Sequence, residues 1–462
     1  QGLSMLAAIY NRAGRYPDVV TLFEQSEDWG VPDVSRIYSQ DAIREDFGRH
    51  FHGYSEPVGF VLANALIQSG RGEAARPIVT ALLENLPGSD RGYELLAKLD
   101  GVAAVAKLDQ LFGRDQFQER PLIWKAKLLL DAGKLAEAEE VVKKAVAIDP
   151  SDGEQGPDDR MRVYSVLADI REKRGDKKEA EFLRGAVKAI RLSEKADQFA
   201  IAGLLKRAIK MYQDSLNHFA DAYCIQSRLA VQLSSMGMHS QAEAYYRKAY
   251  ELMPDSFGRV ESHCFGCEGV FAGERAQSIA EKVFTKLAKE RPDKPQVHYL
   301  LGYLRAQQNR HEDAVPEFKR SVELDPEYLN AWSKMLQSVD HVHIPVKQRD
   351  RIVLEILRLD PLQQHGHVDV ENVSDLRALW AASERAAQLM PKPQTKLFEL
   401  AASAKKLEQA KKTPDSVRMM QAYGNIEEQM EMNLRGRSMV MILRQSFVQA
   451  AVQLIGKNSM SF

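Results

Sequence analysis

With 462 residues, 44% of them apolar and 27% charged, the chain has the make-up of a folded protein and not of a disordered one. Its 63 basic and 64 acidic side chains leave a net charge of -1, which excludes a whole-chain electrostatic footprint for DNA or RNA. Three cysteines exclude a disulfide framework, and no uninterrupted apolar run of about 18 residues offers a membrane span.

Helical patterning starts almost at once after Gln1, so the chain reads as processed or truncated, with any leader out of view. An opening helical pair covers Leu3 to Phe23, with Ala7, Gly14 and Phe23 in register. Residues 24–56 break the period and are expected to form an irregular helical insertion. A repeating pattern then takes over. It is strong over Leu122 to Pro150 and Gln226 to Pro326, and degenerate over Gly88 to Phe112 and Leu192 to Phe219. When Gln226–Pro254 and Gln296–Pro326 are aligned on their closing prolines, Leu229, Ala230, Ala242, Tyr246 and Ala249 meet Leu301, Gly302, Ala314, Phe318 and Ser321.

One small residue tracks the register throughout: Ala75, Ala104, Ala138, Ala180, Ala208, Ala242, Ala280 and Ala314. Most steps between them fall near 34 residues. The long step from Ala138 to Ala180 holds the loop Ser151–Asp159, and the short one from Ala180 to Ala208 predicts a tight junction. Gly70, Gly133, Gly175, Gly203 and Gly237 sit where a helix must stop and reverse. A closing unit starts near Trp332 and ends at Asp360-Pro361.

This pattern resembles the tetratricopeptide repeat, a 34-residue helix-turn-helix unit with small residues at its eighth, twentieth and twenty-seventh positions. Small side chains there let two helices touch within a unit and let the next unit pack on them. The resemblance implies an all-α fold, a right-handed α-solenoid of about ten helical hairpins over residues 1–361, each burying its apolar face against its neighbours. It also implies that first helices line a concave wall where ligands bind. Carried over residue by residue, that wall takes Gln296, Tyr299, Tyr303 and Gln307 from one unit and Ser227, Val231 and Ser234 from another, with Phe265, Asp169 and Lys127 elsewhere. Rings offer rigid contact area and amides pair with a peptide backbone. The Lys/Asn/Arg set with which some members grip a C-terminal carboxylate does not recur here.

Past Pro361 the period fades, and residues 362–462 are expected to form a helical capping extension after Pro391-Lys392-Pro393. Its last stretch places Val440, Leu443, Phe447, Ala451 and Leu454 at helical spacing. Arg444 and Gln445 interrupt that stretch, which suits a cap over a solenoid end. The alternative is self-association through these helices, for which the methionines of the tail are adaptable contacts.

Chemical motifs are sparse. Cys264 and Cys267 form a C-x-x-C preceded by His263, and two thiols three apart share a helix face. With no second C-x-x-C, they read as buried thiols. The alternative is a metal- or redox-responsive site built from Cys264, Cys267 and His263, with Cys224 and His298 on neighbouring helices. Three H-x-H pairs, His50 with His52, His341 with His343 and His365 with His367, suit loops better than a metal site. No nucleophile elbow, phosphate-binding loop or H-E-x-x-H appears. The expectation is therefore a non-enzymatic scaffold without a cofactor that binds a protein or peptide, and neither nucleic acid nor membrane. A regulatory part of a larger enzyme is a further alternative. Few cysteines and no anchor fit the cytoplasm, and an exported solenoid stripped of its leader would look the same.

Overall fold

A computed structural model describes residues 2–25, 58–85, 87–152, 160–259, 274–342 and 344–361, with isolated positions from 365 to 389. The expected insertion over 24–56 and the tail over 362–462 lie almost wholly outside the described residues. The chain divides into two compact units, the first running to Val141 and the second beginning at Val142.

The first unit holds α1 (Gly2–Arg12), α2 (Tyr16–Glu24), α3 (Val58–Gln68), α4 (Gly72–Asn85), α5 (Asp90–Asp100), α6 (Val105–Arg114) and α7 (Arg120–Asp131). The division falls within α8 (Leu135–Ile148). The second unit continues with α9 (Val163–Lys173), α10 (Lys177–Ile201), α11 (Leu205–Leu216), α12 (Tyr223–Ser235) and α13 (His239–Leu252). It ends with α14 (Glu274–Glu290), α15 (Pro295–Gln307), α16 (His311–Leu324), α17 (Leu329–Val339) and α18 (Val346–Leu359). Among the described residues every element is helical. Within each unit, helices pack on the one before and the one after, except that α5 and α6 meet through the short 3-10 turn between them. First helices also meet across repeats, α3 on α5, α5 on α7 and α15 on α17.

One turn is built again and again. At Gly133 the backbone enters the left-handed region (φ 77°), and the next amide, of Lys134, donates back to the Leu129 carbonyl at 2.9 Å. That is a Schellman closure, which satisfies a carbonyl left without a partner at the helix end. The same bond follows Gly70, Gly175, Gly203 and Gly237, the glycines placed at turns by the sequence. In α15–α16 the residue is Asn309 (φ 58°), after which Arg310 donates to the Arg305 carbonyl at 2.9 Å.

All eight register alanines are at most 1% exposed. Seven lie on second helices; Ala104 closes a short 3-10 turn (Gly101–Ala104) ahead of α6, which accounts for the degenerate repeat there. The small residue facing them is as deeply placed. A Cβ on Gly302 would stand 2.9 Å from Phe318 Cδ1 and 3.2 Å from the Ala314 carbonyl, so α15 and α16 touch there backbone to ring.

The tight junction expected between Ala180 and Ala208 does not exist. α10 runs unbroken for 25 residues. Its first half packs as the partner of α9, its second half as the partner of α11, and it also meets α12. Ala180 and Ala196, both buried, mark its two roles. One helix thus serves as the second of one hairpin and the first of the next. The missing turn shortens the spacing.

Five of the junctions between hairpins are tied by a side chain on the following first helix. Tyr93, His298 and Trp332 bond the carbonyl six residues back, of Pro87, Pro292 and Pro326, at 2.7, 3.1 and 3.0 Å. Gln226 donates in the same way to Ala220. Tyr164 reaches Pro150 across the longer loop, where Arg162, nearly buried, also donates to the Asp152 carbonyl at 2.6 Å and pairs with Glu194 at 2.7 Å.

Candidate functional site

The expected ligand wall is developed best on α15. Here three rings gather around Tyr299: Tyr303 stacks on it at 6.0 Å and 5°, Tyr328 lies at 5.0 Å and Phe318 at 6.1 Å. Tyr299 is only 5% exposed, because the segment Pro254–Arg259 crosses its face. Gly258 stands so close that a Cβ there would come 2.4 Å from Tyr299 Cε1.

Several bonds hold that segment down. Tyr328 donates its hydroxyl to the Phe257 carbonyl, and burial pushes that phenol well above its ordinary range. Asp255 accepts from Gln296 Nε2 at 2.7 Å and from Lys294 Nζ at 2.5 Å. Arg259 pairs with Asp325 at 3.1 Å and Glu327 at 2.8 Å, and its carbonyl accepts the Asn330 amide at 3.1 Å. Sequence reasoning missed Asp255, Gly258, Arg259 and Tyr328, whose contacts span some 40 to 70 positions and leave no local pattern.

This geometry corrects the expected wall. Gln296 (4% exposed) and Tyr299 are covered by the chain itself, and Ser227 on α12 is fully buried. What reaches solvent is Tyr303, half-buried, and Gln307, exposed one turn further on; Val231 and Ser234 are half-buried on α12. Lys334 of α17 places its ammonium 5.5 Å above the Tyr303 ring, within cation–π range. Lys127 is engaged by Asp131 at 2.5 Å and Asp169 by Arg184 at 3.3 Å. Phe265 lies outside the described residues.

Metal chemistry finds no support in the part that is described. Among the described residues no three His, Cys, Asp or Glu side chains gather as a metal site. His263, Cys264 and Cys267 lie outside the described residues, as do His50, His52, His343 and His367. Cys224 is buried on α12. His298, once a candidate ligand, spends Nδ1 on Glu317 at 2.7 Å and Nε2 on the Pro292 carbonyl. His341 stacks on His311 at 4.1 Å, and burial followed by the neighbouring ring lowers the His311 pKa. Among the described residues no helix is long and apolar enough to cross a membrane.

Comparison with known proteins agrees with the repeat. Family models described as tetratricopeptide repeat match residues 89–153 and 278–328, and a second one matches 225–256. No curated protein matches the sequence. Among solved structures, the chain is similar to one in the APC/C hetero-tetramer Cut9–Hcn1 (13% identity, 73% of this chain and 75% of that one, TM-score 0.22). It is also similar to YrrB, described as a tetratricopeptide protein with an unusual peptide-binding site (18%, 50% and 98%, TM-score 0.18). Human IFIT1, solved as a dimer with PPP-AAAA, aligns at 10% identity over 97% of this chain and 89% of that one (TM-score 0.25). Superpositions this loose carry no argument about function. The buried alanines, the repeated turn and the family-model matches show instead what the chain is built from: it carries tetratricopeptide repeats, which support a protein-interaction scaffold in general terms.

Proposed function

We propose that the chain is a non-enzymatic scaffold that holds a partner protein or peptide on its first helices, with Tyr303 and Gln307 as the leading contacts. The observation that carries this reading is the Tyr303 ring. One face is fixed by stacking on buried Tyr299, and Lys334 stands over it, yet part of it stays open to solvent. A ring already immobilised loses little entropy on binding, the property of an anchor. Gln307, four residues on, adds an amide on the same helix face. Val231 and Ser234 extend the reading to α12, while behind the surface Tyr299 holds Tyr303 in place and Gln296 holds the segment that covers Tyr299. In this reading residues 1–361 are the repeat body and 362–462 a helical cap, and no cofactor or nucleic acid takes part.

The test is affinity capture from the native cell with the wild-type chain and with Tyr303→Ala/Gln307→Ala, partners being quantified by mass spectrometry. The reading expects specific partners to fall roughly fivefold or more in the variant. An unchanged set of partners on a variant with an unchanged helical circular-dichroism spectrum would refute it.

A further inference from the structure

The fused helix α10 carries a second surface, independent of the wall on α15. Arg184, Lys188, Arg191 and Lys195 recur at i, i+4, i+7 and i+11, so they share one face along about 16 Å of axis. Together with Val187 and Leu192 and with Ser165 of α9, they line a groove of about 500 Å³. Arg184 and Lys188 stand on the half that pairs with α9, Arg191 and Lys195 on the half that pairs with α11. A turn at the usual place would split the row; its absence makes the row continuous.

Two acidic residues in the second half of the same helix are spent elsewhere. Glu194 pairs with nearly buried Arg162 at 2.7 Å, and Asp197 pairs with nearly buried Arg228 at 2.6 Å while accepting from Tyr212. At the groove's near end Arg184 is held by Asp169 and Glu172. Among the described residues no carboxylate pairs with Lys188 or Lys195, both of them exposed. The groove therefore presents positive charge flanking half-buried Leu192, with buried Val187 beneath it.

We infer that this groove binds an acidic amphipathic helix of a partner protein, its carboxylates meeting the row from Arg184 to Lys195 and its apolar residues covering Val187 and Leu192. Val187 and Leu192 decide the class of occupant. A single-stranded nucleic acid needs rings on which its bases stack, and among the described residues no aromatic side chain lines the groove. Asp169 and Glu172 at one end would also repel a continuous row of phosphates, whereas a peptide can place its first carboxylate beyond them.

The experiment uses the full chain and fluorescence anisotropy with three labelled probes. The first is an alanine-based helical peptide with Glu at i, i+4, i+7 and i+11 beside Leu. The second is its counterpart with Lys in place of Glu, and the third is an oligouridine of similar charge. The inference expects the acidic peptide to bind about tenfold or more tighter than the basic one, and to weaken as salt rises. Lys188→Glu/Lys195→Glu should cost it about tenfold or more, Lys188→Gln/Lys195→Gln a smaller amount, and Lys286→Glu on α14 less than about twofold. Equal binding of the two peptides, indifference to both double variants, or tighter binding of the oligouridine would each overturn it. Neither outcome bears on Tyr303 and Gln307.

Discussion

Gly302 owes its identity to Phe318. The ring is fully buried and backed by Tyr299, so it has no room to swing from a Cβ 2.9 Å away, and the Ala314 carbonyl blocks the other side. Overpacking of this kind costs about 1–3 kcal/mol, against about 1 kcal/mol that Ala gains over Gly inside a helix. Gly302→Ala is therefore expected to destabilise the protein by about 1 kcal/mol net in chemical denaturation. Glu317 offers a pH readout. Burial alone would raise its carboxyl, but the hydrogen bond with His298 and the charge of Arg305 at 2.8 Å outweigh it, and the net shift is downward. A depressed carboxyl adds stability above its unfolded value and loses it as pH falls through the folded one. Glu317→Gln should thus cost about 1–3 kcal/mol at neutral pH, the difference fading as pH falls below the ordinary glutamate value and through the lower one at which folded Glu317 protonates. His311, lowered by burial and then by His341, should titrate by NMR below the usual histidine range, and His341→Ala should recover only part of that shift.

At the scale of the element, the turns and α10 respond to opposite changes. Nothing lies within 4 Å of a Cβ built on Gly133, so its need for glycine is a matter of backbone alone. Gly133→Ala should cost about 1 kcal/mol, and Gly133→Asn distinctly less, since Asn309 already holds the same turn at φ 58°. Ser193 lies inside α10 and bonds the Ile190 carbonyl. Ser193→Pro should cost about 3 kcal/mol or more in thermal or chemical unfolding, where a hairpin junction near that point would have absorbed it. These elements also mark what the sequence reveals. Alanine spacing and turn glycines are local signals: all eight alanines are buried, seven of them on second helices, and all five glycines lie at turns. The fusion in α10 escaped because a spacing of 28 residues fits a short turn or no turn equally well. The covering of Tyr299 escaped because position in a repeat says which way a ring points and not what another part of the chain lays over it.

Among the described residues of each compact unit, the main contacts link helices to their neighbours in sequence and to the adjoining repeats, apart from the strap of Pro254–Arg259. A chain organised this way has a stability close to a sum of local terms and need not unfold in one step. Damage should therefore stay where it is made. In Gly302→Ala, amide hydrogen exchange is expected to accelerate in α15 and α16, and to a lesser degree in α17, which packs on both. Segment Pro254–Arg259 should loosen with them, because Tyr299 and Gln296 hold it from α15. Helices α5 to α7, in the other compact unit, should exchange as in the wild type. Uniform acceleration along the chain would instead mean one cooperative core, and the additive account of the repeats would have to be abandoned.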